Sequence, residues 1–262
     1  MTASRAAVAS FEISTRLVKA GDPDRFLSAQ ATPQDQRANI MVIYALNLEI
    51  ARAPWASHEP LVAQMRLRWW GDAIDGIYQG KSPDNHEILP ALCEVIYDHN
   101  LPQYLFETLI DARHFDLYSD PHENREAFDS YVNATSGTVM ELAARVLGAT
   151  PEALQIIKDY SFGVGVASLL RAAPELIARG RNPLLTDTSN LVTRAQQKIK
   201  SARKQKHLVD HKTKPALLAG WRADATLSEA AKRPESITAG LLEESPARRM
   251  ATLRWRKLTG RW

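Results

Sequence analysis

Apolar positions recur along this chain three and four residues apart, and Pro, Gly and polar turns cut the pattern into segments. No long β-branched alternation and no Asn-Gly hairpin turn falls between apolar runs, so strands find no support. The spacing predicts helices over 5–20, 34–52, 59–79, 86–99, 102–115, 125–147, 151–172 and 190–209. A less regular helical remainder is expected from about 214 onward. Breaks are expected at Asp22-Pro23, Pro54, Ser82-Pro83, Asp120-Pro121, Gly148, Pro174 and Pro183. The connections are too short to mark a domain boundary, so the expectation is one all-α domain over 1–262.

Three of these helices carry more specific expectations. Residues 40–46 are apolar apart from the Tyr44 hydroxyl, which predicts a helix wrapped by others; Asn47, Glu49 and Arg52 follow on its C-terminal half. In 59–79, Val62, Met65, Trp69 and Ala73 share one face, and Leu67, Trp70, Ile74 and Tyr78 widen it. Gln64, Arg68, Asp72, Asp75 and Gln79 lie opposite, with Arg68 and Asp72 spaced to pair. The third helix contains an uncharged run, 160–170, interrupted by Gly163 and Gly165. Each glycine costs a helix interior about 1 kcal/mol relative to alanine. Both readings of the pair, close approach of a second helix or of a ligand tail, stay open. Arg171 ends the run, and a guanidinium entering an interior there needs a partner, with Glu49 the leading carboxylate.

Composition narrows the classes without choosing among them. Hydrophobic content of 45% and charged content of 24% are ordinary for a globular protein. The lone Cys93 excludes an internal disulfide framework and a thiolate metal site. The segment 1–14 lacks the basic start and apolar core of a secretory signal. No stretch is expected to supply the roughly 20 apolar residues of a bilayer span, which points to a cytoplasmic protein, soluble or peripheral at the inner face of the membrane. Net charge is +3, unevenly placed. From 188 to 209 there is no acid, while Arg194, Lys198, Lys200, Arg203, Lys204 and Lys206 supply cations. Arg248, Arg249, Arg254, Arg256, Lys257 and Arg261 follow near the end, interleaved with Trp255 and Trp262. Such a block attracts anionic lipid, an acidic partner or phosphate; the plainer reading is a solvated face and a frayed tail. Modest net charge and the helical pattern argue against nucleic acid. Phosphate-binding loops, dinucleotide fingerprints and nucleophile elbows are absent. Asp72 with Asp75, and Asp111 with His114 and Asp116, read as ion-pairing surface rather than metal ligands.

Several strings nevertheless resemble one family. Asp24-Arg25-Phe26, Tyr44-Ala45-Leu46, Arg66-Leu67-Arg68-Trp69-Trp70, the run from Tyr131 to Thr138 and the run from Phe162 to Arg171 are, in order and spacing, similar to squalene/phytoene synthases across about 22–185. The resemblance implies a single-domain helical bundle of the isoprenoid synthase type with a central apolar cavity. Residues 186–262 form a basic remainder with little to align. Active members join two prenyl diphosphates using Mg²⁺ held by two Asp-rich helices, because an allylic diphosphate leaves only if its charge is neutralised. Where the first aspartate motif is expected, the chain reads Ala51-Arg52-Ala53-Pro54-Trp55; the second reads Ser168-Leu169-Leu170-Arg171-Ala172-Ala173-Pro174-Glu175-Leu176. Arg171 and Glu175 remain and both aspartates are gone.

That double loss, with Ala45-Leu46-Asn47-Leu48-Glu49-Ile50-Ala51, Arg66-Leu67-Arg68-Trp69-Trp70 and Leu169-Leu170-Arg171-Ala172-Ala173-Pro174, is more similar to a degenerate branch concerned with assembling respiratory complex I. The resemblance implies a non-catalytic protein with a protein partner and no cofactor. Its vestigial pocket would involve Tyr44, Asn47, Glu49, Tyr131, Gly137, Gly163, Gly165, Ser168, Arg171 and Glu175. The alternatives it leaves are a Mg²⁺-dependent prenyl diphosphate transferase and a binding module for an isoprenoid ligand. The absence of an organelle-targeting start favours a bacterial protein.

Overall fold

Helix starts follow local capping chemistry. In the computed structural model, which describes residues 5–57, 59–81, 86–185 and 187–262, Asp22, Asn124, Thr150, Asp187 and Ser245 each accept a hydrogen bond from the backbone N–H three residues on. Proline follows Asp22, Thr150 and Ser245 directly, where its missing N–H forfeits nothing. Among the described residues all regular structure is helical. The expected break at Ser82-Pro83 lies outside the described residues. Two compact units divide the chain: Met1–Tyr118 with Glu141–Ala149, and Ser119–Met140 with Thr150–Trp262.

The first unit contains α1 (Arg5–Gly21), α2 (Pro23–Ala29), α3 (Gln34–Arg52), α4 (Pro60–Tyr78), α5 (Leu89–Asp98) and α6 (Gln103–Arg113). α3 is packed by α1, α2, α5 and α6, and its run 40–46 is almost wholly excluded from solvent, as its apolar sequence predicts. α2 stands where only a break was expected, because the Asp22 cap and Pro23 begin a new helix at once. On α4 the buried stripe is Ala63, Leu67, Trp70, Ala73, Ile74 and Ile77. The expected stripe was centred differently, and Val62 and Met65 are 39% and 64% exposed. The stripe through 63, 67, 70, 74 and 77 is apolar to its end, whereas the one through 62, 65 and 69 runs into Gly76. Trp69 and Trp70 meet edge to face, and His86 packs on both at about 5 Å between ring centres.

The second unit holds α7 (Arg125–Val132), a π-helical turn (Asn133–Gly137), α8 (Thr138–Val146, shared with the first unit), α9 (Pro151–Ala178), α10 (Thr188–Lys204), α11 (Lys214–Leu218), α12 (Ala223–Lys232), α13 (Glu235–Thr238) and α14 (Pro246–Thr259). A continuous helix over 125–147 was expected. The π turn interrupts it, with the Thr135 hydroxyl donating to the Tyr131 carbonyl at 2.7 Å and that of Thr138 to the Asn133 carbonyl at 3.4 Å. Pro174 does not end α9, which runs on to Ala178 with α13 packed against it. At 28 residues α9 is long and apolar enough to cross a membrane by composition, more than the run 160–170 indicated. Half of its apolar window is buried inside the protein. The C-terminal segment is not frayed: α14 buries Leu253 and Arg256, and Trp262 is 4% exposed.

Candidate functional site

On α3, Tyr44, Asn47 and Glu49 stand within two turns of one another. Tyr44 is buried, with the Arg25 guanidinium 5.4 Å from its ring centre and Arg25 held by Asp22 at 3.1 Å. Burial pushes the Tyr44 hydroxyl up to about 12; Arg25 opposes the shift and Asp22 adds to it. Tyr44 is therefore a neutral phenol at any physiological pH. Asn47 is buried, and Glu49, half-buried, pairs with Arg52 at 3.8 Å.

The remaining sequence-predicted residues lie in the second unit. Tyr131 packs on His122, 5.2 Å between ring centres. A methyl group at Gly165 would lie 2.6 Å from Val132 Cγ1 and 2.8 Å from Ser136 Cβ, so this glycine lets the π turn rest on α9. At Gly163 the same methyl would lie 2.5 Å from Ile199 Cγ1 and 2.7 Å from the Ala195 carbonyl oxygen, so α10 fills that side. Of the two readings of the glycine pair, the helix contact is the one on view. Gly137 sits in the π turn near Ser161, with ordinary room around it. Arg171 is half-buried and donates to Thr226 Oγ1 at 3.1 Å and to Ser168 Oγ at 3.3 Å. Glu175 is exposed and paired with Arg179 at 2.6 Å.

A Mg²⁺ cluster does not fit these residues. Ala51, Arg52, Ala53 and Pro54 lead into a short 3₁₀ turn with no acceptor side chain, and Arg52 brings positive charge. At the second position Ala172 is exposed, and Glu175, the one carboxylate there, already meets Arg179. Among the described residues no three of His, Cys, Asp and Glu converge as metal ligands. The acidic groups weighed from the sequence are tied up similarly. Asp116 meets Arg113 at 3.0 Å, Asp75 accepts from Gln103 at 2.9 Å, and Asp72 faces Arg68 at 3.9 Å on the surface.

Sequence reasoning missed a second cluster. Asp224 of α12 accepts from Arg203 of α10 at 2.8 Å and from Arg256 of α14. Burial would raise the Asp224 carboxyl, but the Arg203 hydrogen bond and the charges of Arg203 and Arg256 outweigh it, and the pKa is lowered. Arg203 Nε also donates to the Trp262 backbone oxygen at 2.8 Å, and the Trp262 ring meets buried Tyr160 edge to face at 4.7 Å. The acid-free stretch from 188 to 209 was a signal for Arg203; nothing local marked Asp224.

Comparison with known proteins bears on both units. The squalene/phytoene synthase family model matches residues 18–189. Assembly factor 6 of NADH dehydrogenase (ubiquinone) complex I is 23% identical in Bos taurus and 22% in Homo sapiens over 159 residues, 60% of this chain and 47% of each relative. The Drosophila melanogaster homolog is 25% identical over 175 residues, 64% of this chain and 52% of that one. The chain thus spans about half the length of these relatives. Two solved structures share the fold at a TM-score of 0.75. A squalene synthase from Alicyclobacillus acidocaldarius is 16% identical, with 87% of this chain and 95% of that one covered. A dehydrosqualene synthase in complex with ligand is 15% identical, with 97% of each covered.

Proposed function

The chain belongs to the squalene/phytoene synthase family, and from that premise we propose that it is a non-catalytic member that helps assemble respiratory complex I. The observation that carries this reading is the loss of carboxylates from both metal-binding segments, where Ala51, Arg52, Ala172 and Leu176 now stand. Without them those segments lack the carboxylates that would hold Mg²⁺, the ion that offsets the charge of a departing diphosphate. The curated relatives point the same way, since their names describe complex I assembly factors. Under this proposal the partner is a complex I subunit or assembly intermediate, met at the inner face of the membrane, where the basic C-terminal third favours anionic lipid.

The test is a sensitive product assay of the purified chain with farnesyl and geranylgeranyl diphosphate and Mg²⁺. No product is expected, and calorimetry with Mg²⁺ and an unreactive prenyl diphosphate analogue should show no metal-dependent binding. Turnover would replace this reading with that of a prenyl transferase using other ligands. Deletion of the gene should lower assembled NADH dehydrogenase in membranes, and unchanged assembly would remove the assembly role.

A further inference from the structure

Between α10, α11 and α14 opens a cavity of about 760 Å³. Its wall carries five permanent cations, Arg203, Lys206, Lys214, Arg256 and Arg261, against one side-chain carboxylate, Asp224. That carboxylate is already shared by Arg203 and Arg256. Arg203 is further engaged by the buried Tyr160 hydroxyl and by the Trp262 oxygen, whereas Arg256 Nε is buried without an acceptor. Lys206 and Arg261 are exposed at the wall. Their charges have no counterpart among the side chains lining it. Trp255, 49% exposed, contributes an aromatic face with the Arg261 guanidinium 4.7 Å from its ring centre.

We infer that this cavity is a binding site for a phosphate ester. Its volume lies within the roughly 300–1,000 Å³ of small-molecule pockets and is far larger than a bare anion requires. The phosphate would complete the charge balance of Lys206, Lys214 and Arg261, as strong charge-assisted hydrogen bonds to phosphate oxygens do. The organic body would rest against Trp255, as amphipathic ligands rest on tryptophan. Either a soluble phosphate ester or the headgroup of an acidic phospholipid carries this chemistry. The inference is independent of the assembly reading, because it uses none of the residues in the vestigial metal segments.

The full chain is titrated with inorganic pyrophosphate at constant ionic strength, followed by tryptophan fluorescence and by melting temperature. Saturable binding is expected, weakened at least tenfold in the Lys206→Ala/Arg261→Ala double variant and unchanged in Arg125→Ala, which removes an exposed cation of α7 outside the cavity. Both altered positions of the double variant are solvent-exposed, and its own melting temperature without ligand should match that of the unaltered chain. Vesicles of phosphatidic acid in phosphatidylcholine then separate the sources. Sedimentation abolished by pyrophosphate assigns the lipid headgroup, and saturable pyrophosphate binding without sedimentation assigns a soluble ester. Absence of saturable binding, equal binding by the double variant, or sedimentation without pyrophosphate binding would each overturn the inference.

Discussion

At the scale of the residue, the two kinds of glycine in this chain make opposite demands. Gly163 faces the Ala195 carbonyl and Ile199 with no room for a methyl group, whereas Gly71, inside α4, has nothing within 4 Å of the same position. Gly163→Ala should therefore destabilise the protein by about 1–3 kcal/mol through overpacking. Gly71→Ala should stabilise it by about 0.5–1 kcal/mol through helix propensity. Paired thermal melts decide the matter, and equal shifts would contradict the close approach of α10 to α9. His99 supplies a second test. Asn39 Nδ2 donates to His99 Nε2 at 2.9 Å, which requires a neutral ring, and burial lowers the His99 pKa against the opposing charge of Asp98. A base depressed in the fold contributes stability that is complete above its ordinary value of 6.5 and is lost as pH falls from there to its folded value. Melting temperature should drop between pH 7.5 and 5.5, and His99→Gln should flatten that part of the profile. These two kinds of residue differ in legibility. Two glycines in an uncharged helical run signal a close approach from sequence alone. The partner of Arg203 does not, because Asp224 reaches it from a separate helix and no spacing rule connects them.

At the scale of the element, apolar periodicity predicted α3, α5 and α6 closely, because each has an apolar stripe with clear ends, whereas it stopped α9 six residues short and carried α10 five residues too far. It misplaced the buried face of α4, where two overlapping stripes compete and only packing against neighbours selects one. It also missed the π turn, whose cause is the bonding of Thr135 and Thr138 back to the chain. α14 was least legible, since four of its fourteen residues are arginine and its packing rests on one leucine and one buried arginine. Leu253 is 2% exposed, and Leu253→Ala should cost about 2–4 kcal/mol. Limited proteolysis should then cut more rapidly near Ser245, the cap of α14. An unchanged cleavage rate would mean that α14 is held by the Arg256–Asp224 ion pair rather than by Leu253.

At the scale of the whole molecule, the helical class was legible from the recurring apolar spacing, and the family from the order and spacing of strings that match it, even where periodicity misread the elements carrying them. The C-terminal third was not, because its charges conceal an apolar interior containing Trp221, Leu227 and Leu242. The order in which the second unit is built follows from its most connected helix. α9 touches α7, the π turn, α10, α11, α12 and α13, and the last four of these follow it along the chain. A segment that most others need as a surface must be in place before they can condense on it, so α9 is the natural nucleus of that unit's folding. Val166, fully buried on α9, should show a φ-value of about 0.5–0.8 on truncation to alanine, slowing refolding. Leu253→Ala should chiefly accelerate unfolding, because the last helix can join only a scaffold that already exists.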